Sequence, residues 1–295
     1  MRLTLTFCGL FISIFITTAQ TKADSTKIDG LLRESSKALM NNLPSTKPLI
    51  DEGIRFCKKK NYVVDECRFI NVLGNYHLYN SNIDSAKITF LKGLRLISNR
   101  KKYRIEGAFL HNLGLIERRS GNFSSARDYY SKSKVLEEKI GNYQGSAETM
   151  LNISVSYEMQ GDYPRAIEIL HDCLDMIDKY NLDSTKQLRA MVKLNLGINY
   201  YTIEDYSRAL TDFEESLELF EDGGDLYYQI LAIDNIIQVY ETCNQLSEVP
   251  KFLDQLDEKR IEWLKHLPDS LEYETKEGNI LLCHGSPWDV DEYVY

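Results

Sequence analysis

Histidine and cysteine are the side chains of this chain best suited to hold a metal or to act as nucleophiles. His77, His111 and His171 lie far apart in the sequence, and none has a second ligand at the spacing of a metal site. The six cysteines are scattered and form no C-x-x-C pair, so they indicate neither a disulfide framework nor a zinc site. We therefore expect no cofactor and no catalytic residue, and interpret Cys173 as a small buried hydrophobe.

The overall charge argues against nucleic acid as a partner. The formal net charge is −9 at pH 7 and the isoelectric point is about 5.2, whereas phosphate backbones require basic stripes. The two basic runs, 58–60 and 100–102, are short and are interpreted as solvated surface. At 43% hydrophobic and 27% charged residues, the composition is that of a folded chain, and no motif indicates a small-molecule substrate.

The first residues have the layout of a secretory signal peptide. Arg2 supplies a positive start, residues 3–16 are mostly apolar, and Thr17-Thr18-Ala19 or Thr21-Lys22-Ala23 offers small residues for cleavage. The apolar run is shorter than the ~20 residues that span a bilayer. We predict a signal peptide over 1–23 and export to the periplasm or the medium. The alternative is an uncleaved segment that anchors the chain in the membrane.

Five segments share one pattern of large apolar and mostly small residues, which indicates an internal repeat. Paired positions recur at spacings of 40, 40, 43 and 40 residues. These pairs are Leu73-Gly74, Leu113-Gly114, Ile153-Ser154, Leu196-Gly197 and Ile236-Ile237. A turn follows each pair, then a small residue and, four positions later, a large apolar one, as in Ala86 and Phe90. This spacing predicts a helical hairpin, because the small residues let two helices approach closely and residues four apart share a helix face.

The pattern resembles the tetratricopeptide repeat, which has an L-G pair, a following tyrosine and an A-x-x-x-F step. Matching positions are Ala86, Phe90, Ala209 and Phe213, with tyrosines at Tyr157, Tyr200 and Tyr240. The period is near 40 instead of ~34, and the family's opening tryptophan and closing proline are absent. The resemblance covers about residues 26–256. It implies an all-α, right-handed α-solenoid of tetratricopeptide-like hairpins, with a degenerate hairpin over 24–61 and five repeats over 62–256.

In that family the first helices of the hairpins line a concave binding face. The resemblance places these residues there: Asn71, Asn75, His111, Leu115, Arg118, Leu151, Val155, Glu158, Leu194, Ile198, Tyr201, Asp234, Gln238 and Glu241. They form a mixed surface with a basic spot at His111, Arg118 and Arg119 and an acidic end at Asp234 and Glu241. Such a groove suits a peptide or a partner helix.

The last residues, 257–295, depart from the repeat. Residues 271–274 alternate as a strand does, 276–279 form a turn pattern, and 280–283 are apolar enough for a buried strand, which predicts a β-hairpin. The run from Ile280 to Pro287, with Trp263 and Pro268 before it, resembles an internal piece of the calcineurin-like metallophosphoesterases. The resemblance makes His284 a metal ligand, but the family's other metal ligands are absent. We interpret this segment as an incomplete remnant, whether truncated, fused or misassembled, that does not hold metal.

Together these observations favour an exported, non-catalytic scaffold that binds a protein or peptide partner through its concave face. One alternative is the sensory part of a membrane-anchored bacterial signalling regulator, which rests on analogy between proteins of this layout. The other is a metallophosphoesterase, which the missing ligands disfavour. The sequence leaves the partner's identity and the oligomeric state open.

Overall fold

The computed structural model describes residues 20–41, 43–182, 186–223, 226–245 and 247–249, and the backbone of 270–275 and 278–283. The helices of this part of the chain are α1 (Lys22–Met40), α2 (Thr46–Lys60), α3 (Val63–Tyr79), α4 (Ile83–Ile97), α5 (Tyr103–Arg119), α6 (Phe123–Lys139), α7 (Tyr143–Glu158), α8 (Tyr163–Tyr180), α9 (Gln187–Thr202), α10 (Tyr206–Gly223) and α11 (Leu226–Thr242). The predicted all-α solenoid of tetratricopeptide-like hairpins is confirmed.

Two compact units divide the chain after Ile97. The first contains the hairpins α1–α2 and α3–α4, and its helices pack in sequence order. The second contains α5–α6, α7–α8 and α9–α10, followed by α11, and each helix packs on the next. Every hairpin thus buries its apolar face against its neighbour in the same unit, as a repeat protein requires.

The C-terminal strands are β1 (Ser270–Thr275) and β2 (Gly278–Cys283). They pair antiparallel, with Leu271 opposite Leu282 and Thr275 opposite Gly278, in the places where the alternating pattern predicted strands. The signal-peptide segment 1–19, the metallophosphoesterase-like residues Trp263 and Pro268, and His284 lie outside the described residues. No helix in the described ranges is both long and apolar enough to span a membrane.

The turn inside each hairpin needs one residue in the left-handed conformation. Gly121 and Gly161 fill this position with φ of 74° and 83°, and Ser81, Glu204 and Asn244 fill it with φ between 54° and 65°. The backbone then closes the first helix: the amide of Gly121 donates to Arg118 O at 2.9 Å, and the next amide donates to Glu117 O at 2.8 Å. The predicted tight turn is confirmed, and the hydrogen bonding is the same whether or not glycine is present.

A glycine against an aromatic ring holds three of the hairpins together. A Cβ added at Gly74, Gly114 or Gly197 would lie 2.1, 2.7 or 2.5 Å from the ring of Phe90, Tyr130 or Phe213. These rings are fully buried, so they have no room to move away. The α7–α8 hairpin replaces the pair by Ser154 and Leu170, both buried. A larger residue on the first helix is thus matched by a smaller one on the second.

A second contact recurs near the open end of each hairpin of the second unit, where a small side chain of the second helix donates to a backbone oxygen of the first. The three pairs are Ser133 Oγ to Gly107 O at 2.9 Å, Cys173 Sγ to Ala147 O at 3.4 Å, and Ser216 Oγ to Ala190 O at 2.9 Å. Burial raises the pKa of the Cys173 thiol to about 12, so it remains a protonated donor. The interpretation of Cys173 as a small buried residue agrees with this placement.

Candidate functional site

Twelve of the fourteen residues predicted to bind a partner lie on α5, α7, α9 and α11 of the second unit. Residues at intervals of four and three share a helix face, and successive first helices contact each other. The twelve therefore form three rows of four, which we call the first-helix face. The upper row is His111, Leu151, Leu194 and Asp234; the middle row is Leu115, Val155, Ile198 and Gln238; the lower row is Arg118, Glu158, Tyr201 and Glu241. Asn71 and Asn75 lie on α3 in the first unit, and Asn75 is buried.

The first-helix face is more enclosed than a solvated surface. All twelve side chains are buried or half-buried. The middle row is apolar over three consecutive first helices, with Leu115 buried and Val155 and Ile198 half-buried. Leu151 and Leu194 of the upper row belong to the hydrophobic core of the unit. The face thus offers an apolar strip, accessible at Val155 and Ile198, with polar groups along its lower edge.

The basic end of this face has fewer positive charges than predicted, because His111 is neutral. Its Nδ1 lies 3.4 Å from Thr149 Oγ1, and that hydroxyl already donates to Gly145 O at 2.8 Å, so Nδ1 carries the proton. Burial, and then the positive charge of Arg118, lowers the pKa of His111 to about 4. The predicted basic spot therefore loses His111. Its positive charges come from the buried Arg118 and its half-buried neighbour Arg119.

Glu158 and Asn199 form the polar contact at the centre of the lower edge. Asn199 Nδ2 donates to Glu158 Oε2 at 2.7 Å and to Asn195 O at 2.8 Å. Burial raises the pKa of Glu158, and the Asn199 hydrogen bond and the charge of Arg118 partly offset that rise. Asn199 is fully buried, and its Oδ1 has no hydrogen-bond partner among the described residues. An orphaned buried acceptor costs about 1–3 kcal/mol.

Asn199 was not among the predicted site residues, although the repeat carries a signal for it. The equivalent position holds Ile116 in α5, Ser156 in α7 and Val239 in α11. In the other first helices of the second unit this position is apolar or small, so a large amide there indicates that a polar group lies nearby. The asparagines preceding each paired position behave differently: Asn152, Asn195 and Asn235 donate back to the carbonyl four residues earlier in their own helix.

The far end of the face is aromatic and acidic. Tyr201 Oη lies 2.8 Å from Thr242 Oγ1 and connects α9 to α11. Asp234, Gln238 and Glu241 are half-buried on α11. With His111 neutral, the twelve residues carry one positive charge, on Arg118, and three negative charges.

The histidines of the described residues form no metal centre. His171 is exposed, with Nε2 3.1 Å from Tyr200 Oη, and His77 is half-buried, with a pKa lowered by burial and then by Lys47. Within the described ranges no group of three or more histidine, cysteine, aspartate or glutamate side chains could hold a metal ion.

A family model described as "Tetratricopeptide repeat" matches residues 106–179 and 145–222, which carry most of the first-helix face. Solved structures with similar folds include three that are 15–17% identical in sequence. BtubC (BKLC) from P. vanneervenii has a TM-score of 0.62 and 17% identity, over 88% of this chain and 99% of that one.

Two further similar structures contain a bound factor or peptide. A Rap protein complexed with Competence and Sporulation Factor has a TM-score of 0.60 and 15% identity, over 83% of this chain and 67% of that one. NprR in complex with its cognate peptide NprX has a TM-score of 0.57 and 17% identity, over 81% of this chain and 67% of that one. At these identities the likeness establishes the fold of the repeats.

Proposed function

We propose that this chain is a non-catalytic scaffold that binds a peptide segment of a partner along the first-helix face of its second unit. The apolar strip formed by Leu115, Val155 and Ile198 carries the proposal. It crosses the three consecutive first helices α5, α7 and α9 and is flanked on its lower edge by Arg118 and Glu158. An extended or helical peptide with apolar side chains on one side and polar groups on the other matches this arrangement.

Two of the similar folds support a peptide as the partner. The Rap and NprR structures contain, respectively, Competence and Sporulation Factor and the peptide NprX. The enclosed character of the face also favours a narrow ligand over a broad protein surface, because its residues are half-buried before any partner arrives. Binding would then remove the remaining exposed apolar area of Val155 and Ile198 from water.

A charge placed in the apolar strip should abolish peptide binding. A random 12-residue peptide library is selected on the full chain, and the affinity of the selected peptides is measured by fluorescence anisotropy. Val155→Glu should weaken binding at least about tenfold, since a buried unpaired carboxylate costs more than 1.4 kcal/mol. Val135→Glu is the matched control, because Val135 is 60% exposed on the second helix α6.

Circular dichroism melting separates loss of binding from loss of folding, and Ile198→Glu provides a second variant if Val155→Glu unfolds. Equal affinity losses in Val155→Glu and Val135→Glu would contradict a site on the first-helix face. Failure to select any peptide would contradict peptide binding itself.

We also propose export, with cleavage after Ala19. Thr21 caps α1 by accepting from the Asp24 amide at 3.1 Å, and the Asp24 carboxylate accepts from Tyr62 Oη at 2.8 Å. Cleavage after Ala23 would remove this cap, whereas cleavage after Ala19 would keep it. The protein recovered from the periplasm or medium of an expressing bacterium should begin with Gln20 by intact mass. A mature chain beginning with Asp24, or an unprocessed chain confined to the cytoplasm, would refute this proposal.

A further inference from the structure

Glu158 is a half-buried carboxylate without a cation beside it. Its polar contact is the neutral amide of Asn199, and within the described residues no lysine, arginine or histidine nitrogen lies within the 4.0 Å that defines an ion pair to it. Burial raises its pKa, but the charge of Arg118 acts in the opposite direction. A partly desolvated carboxylate is stabilised most by a hydrogen-bond donor that carries a positive charge.

The neighbouring amide supplies a second, independent acceptor. Both hydrogen bonds from Asn199 Nδ2, to Glu158 and to Asn195 O, fix which way the amide faces. A flipped amide would direct an oxygen at two acceptors, so the orientation is determined by the network. Asn199 Oδ1, on the same carbon as the donating nitrogen, is then a buried acceptor with no donor among the described residues. An acceptor of this kind is satisfied by a bound water or by an N–H or O–H of a ligand.

We propose that Glu158 and Asn199 form a subsite for an arginine side chain of the bound peptide. A guanidinium is planar, permanently charged and carries five N–H donors. Two of its N–H groups can donate in parallel to the two oxygens of the Glu158 carboxylate, whereas a lysine ammonium is a point charge without this planar pair of donors. The subsite deepens the proposed peptide-binding function and rests on it.

Charged residues of both signs lie on the helices next to the subsite. Arg118, on α5, is the positive charge of the first-helix face, and its Nη1 donates to Met159 Sδ at 3.8 Å. Asp234 and Glu241, on α11, add two negative charges on the other side of α9. Arg118 acts on Glu158, but its effect on the pKa of that carboxyl is smaller than the effects of burial and of the Asn199 hydrogen bond. The attraction between the Glu158 carboxylate and an incoming arginine should weaken with added salt.

The test compares peptides that differ only at one arginine. A library-selected peptide containing arginine is resynthesised with citrulline, which keeps the shape and removes the charge. Citrulline should weaken binding to the native chain about tenfold or more. Against Glu158→Gln, which keeps an oxygen for the Asn199 hydrogen bond, the two peptides should bind within about twofold of each other. Glu218→Gln, which removes one negative charge from the exposed surface of the second helix α10, outside the first-helix face, should leave the arginine preference intact.

Several outcomes would overturn the subsite while leaving peptide binding standing. Selected peptides could bind with the predicted sensitivity to Val155→Glu but lack an arginine. Citrulline could bind as well as arginine, or Glu218→Gln could remove the preference as fully as Glu158→Gln. As an independent readout, acetylated Gly-Arg-Gly amide is titrated into the ¹⁵N-labelled full chain. The Asn199 side-chain amide should shift with arginine and not with citrulline; shifts confined to other residues would refute the subsite even if the library yields no peptide.

Discussion

Gly197→Ser should lower the free energy of unfolding by about 2–3 kcal/mol, the cost of forcing extra atoms into a packed core. A Cβ at this position would lie 2.5 Å from Cδ1 and Cε1 of Phe213, whose ring is fully buried. Adding Phe213→Leu should recover part of the loss, because it recreates the Ser154–Leu170 pair that the α7–α8 hairpin already uses. We expect the double variant to be at least about 1 kcal/mol more stable than the sum of the single effects.

Urea denaturation followed by circular dichroism measures this coupling. Gly30→Ser is the control, because a Cβ at Gly30 in α1 meets nothing within 4 Å, so its effect should stay within about 1 kcal/mol. Strictly additive losses in the Gly197→Ser and Phe213→Leu variants would show that the two residues are not packed against each other as described.

The second large effect concerns a buried ion pair at a repeat position that is otherwise apolar. Lys193 Nζ lies 2.8 Å from Asp212 Oδ1 and 2.6 Å from Glu215 Oε2, and Asp212 is nearly fully buried. Burial acts to lower the pKa of Lys193, but its hydrogen bonds to the two carboxylates outweigh that and raise it. Burial also raises the pKa of Asp212 against the opposing effect of Lys193.

Lys193→Met should destabilise the fold by about 3 kcal/mol at pH 7, because it leaves the Asp212 charge buried without its cation. The loss should shrink as the pH falls. Since the folded-state pKa of Asp212 lies above its unfolded value, and higher still without Lys193, protonation at low pH favours the folded variant. Urea unfolding at pH 7 and pH 4.5 measures both effects.

Lys193→Met combined with Asp212→Ile provides the matched control, because Met150 and Ile169 stand at the equivalent positions of the α7–α8 hairpin. The double variant should unfold within about 1 kcal/mol of the native chain, since well-packed apolar groups replace buried ion pairs without loss. A double variant as unstable as Lys193→Met alone would indicate that the ion pair contributes more than charge compensation.

The repeat could be predicted from the sequence because the contacts within each hairpin are made by residues that are close together in the chain. The Leu113-Gly114 pair and its counterparts, the turn and the alanine step depend on residues less than about 30 apart, and helix geometry converts that spacing into a shared face. The positions of the helical hairpins and of the C-terminal strands followed from this local information. Ser133, Cys173 and Ser216 could be recognised only as small residues, because their backbone acceptors 26 positions earlier depend on how two helices align.

For the candidate site, the sequence predicted less than it did for the fold. The repeat pattern identified which residues share the first-helix face, but it counted His111 as basic and passed over Asn199. Both depend on desolvation and on neighbours about 40 residues away: Thr149 for His111, and Glu158 for Asn199. Charge state and hydrogen-bond satisfaction are properties of an enclosed environment. The sequence by itself therefore determined the hairpin, its period and its faces, while only the packing of one hairpin on the next decided which polar groups are charged, paired or left open to a ligand.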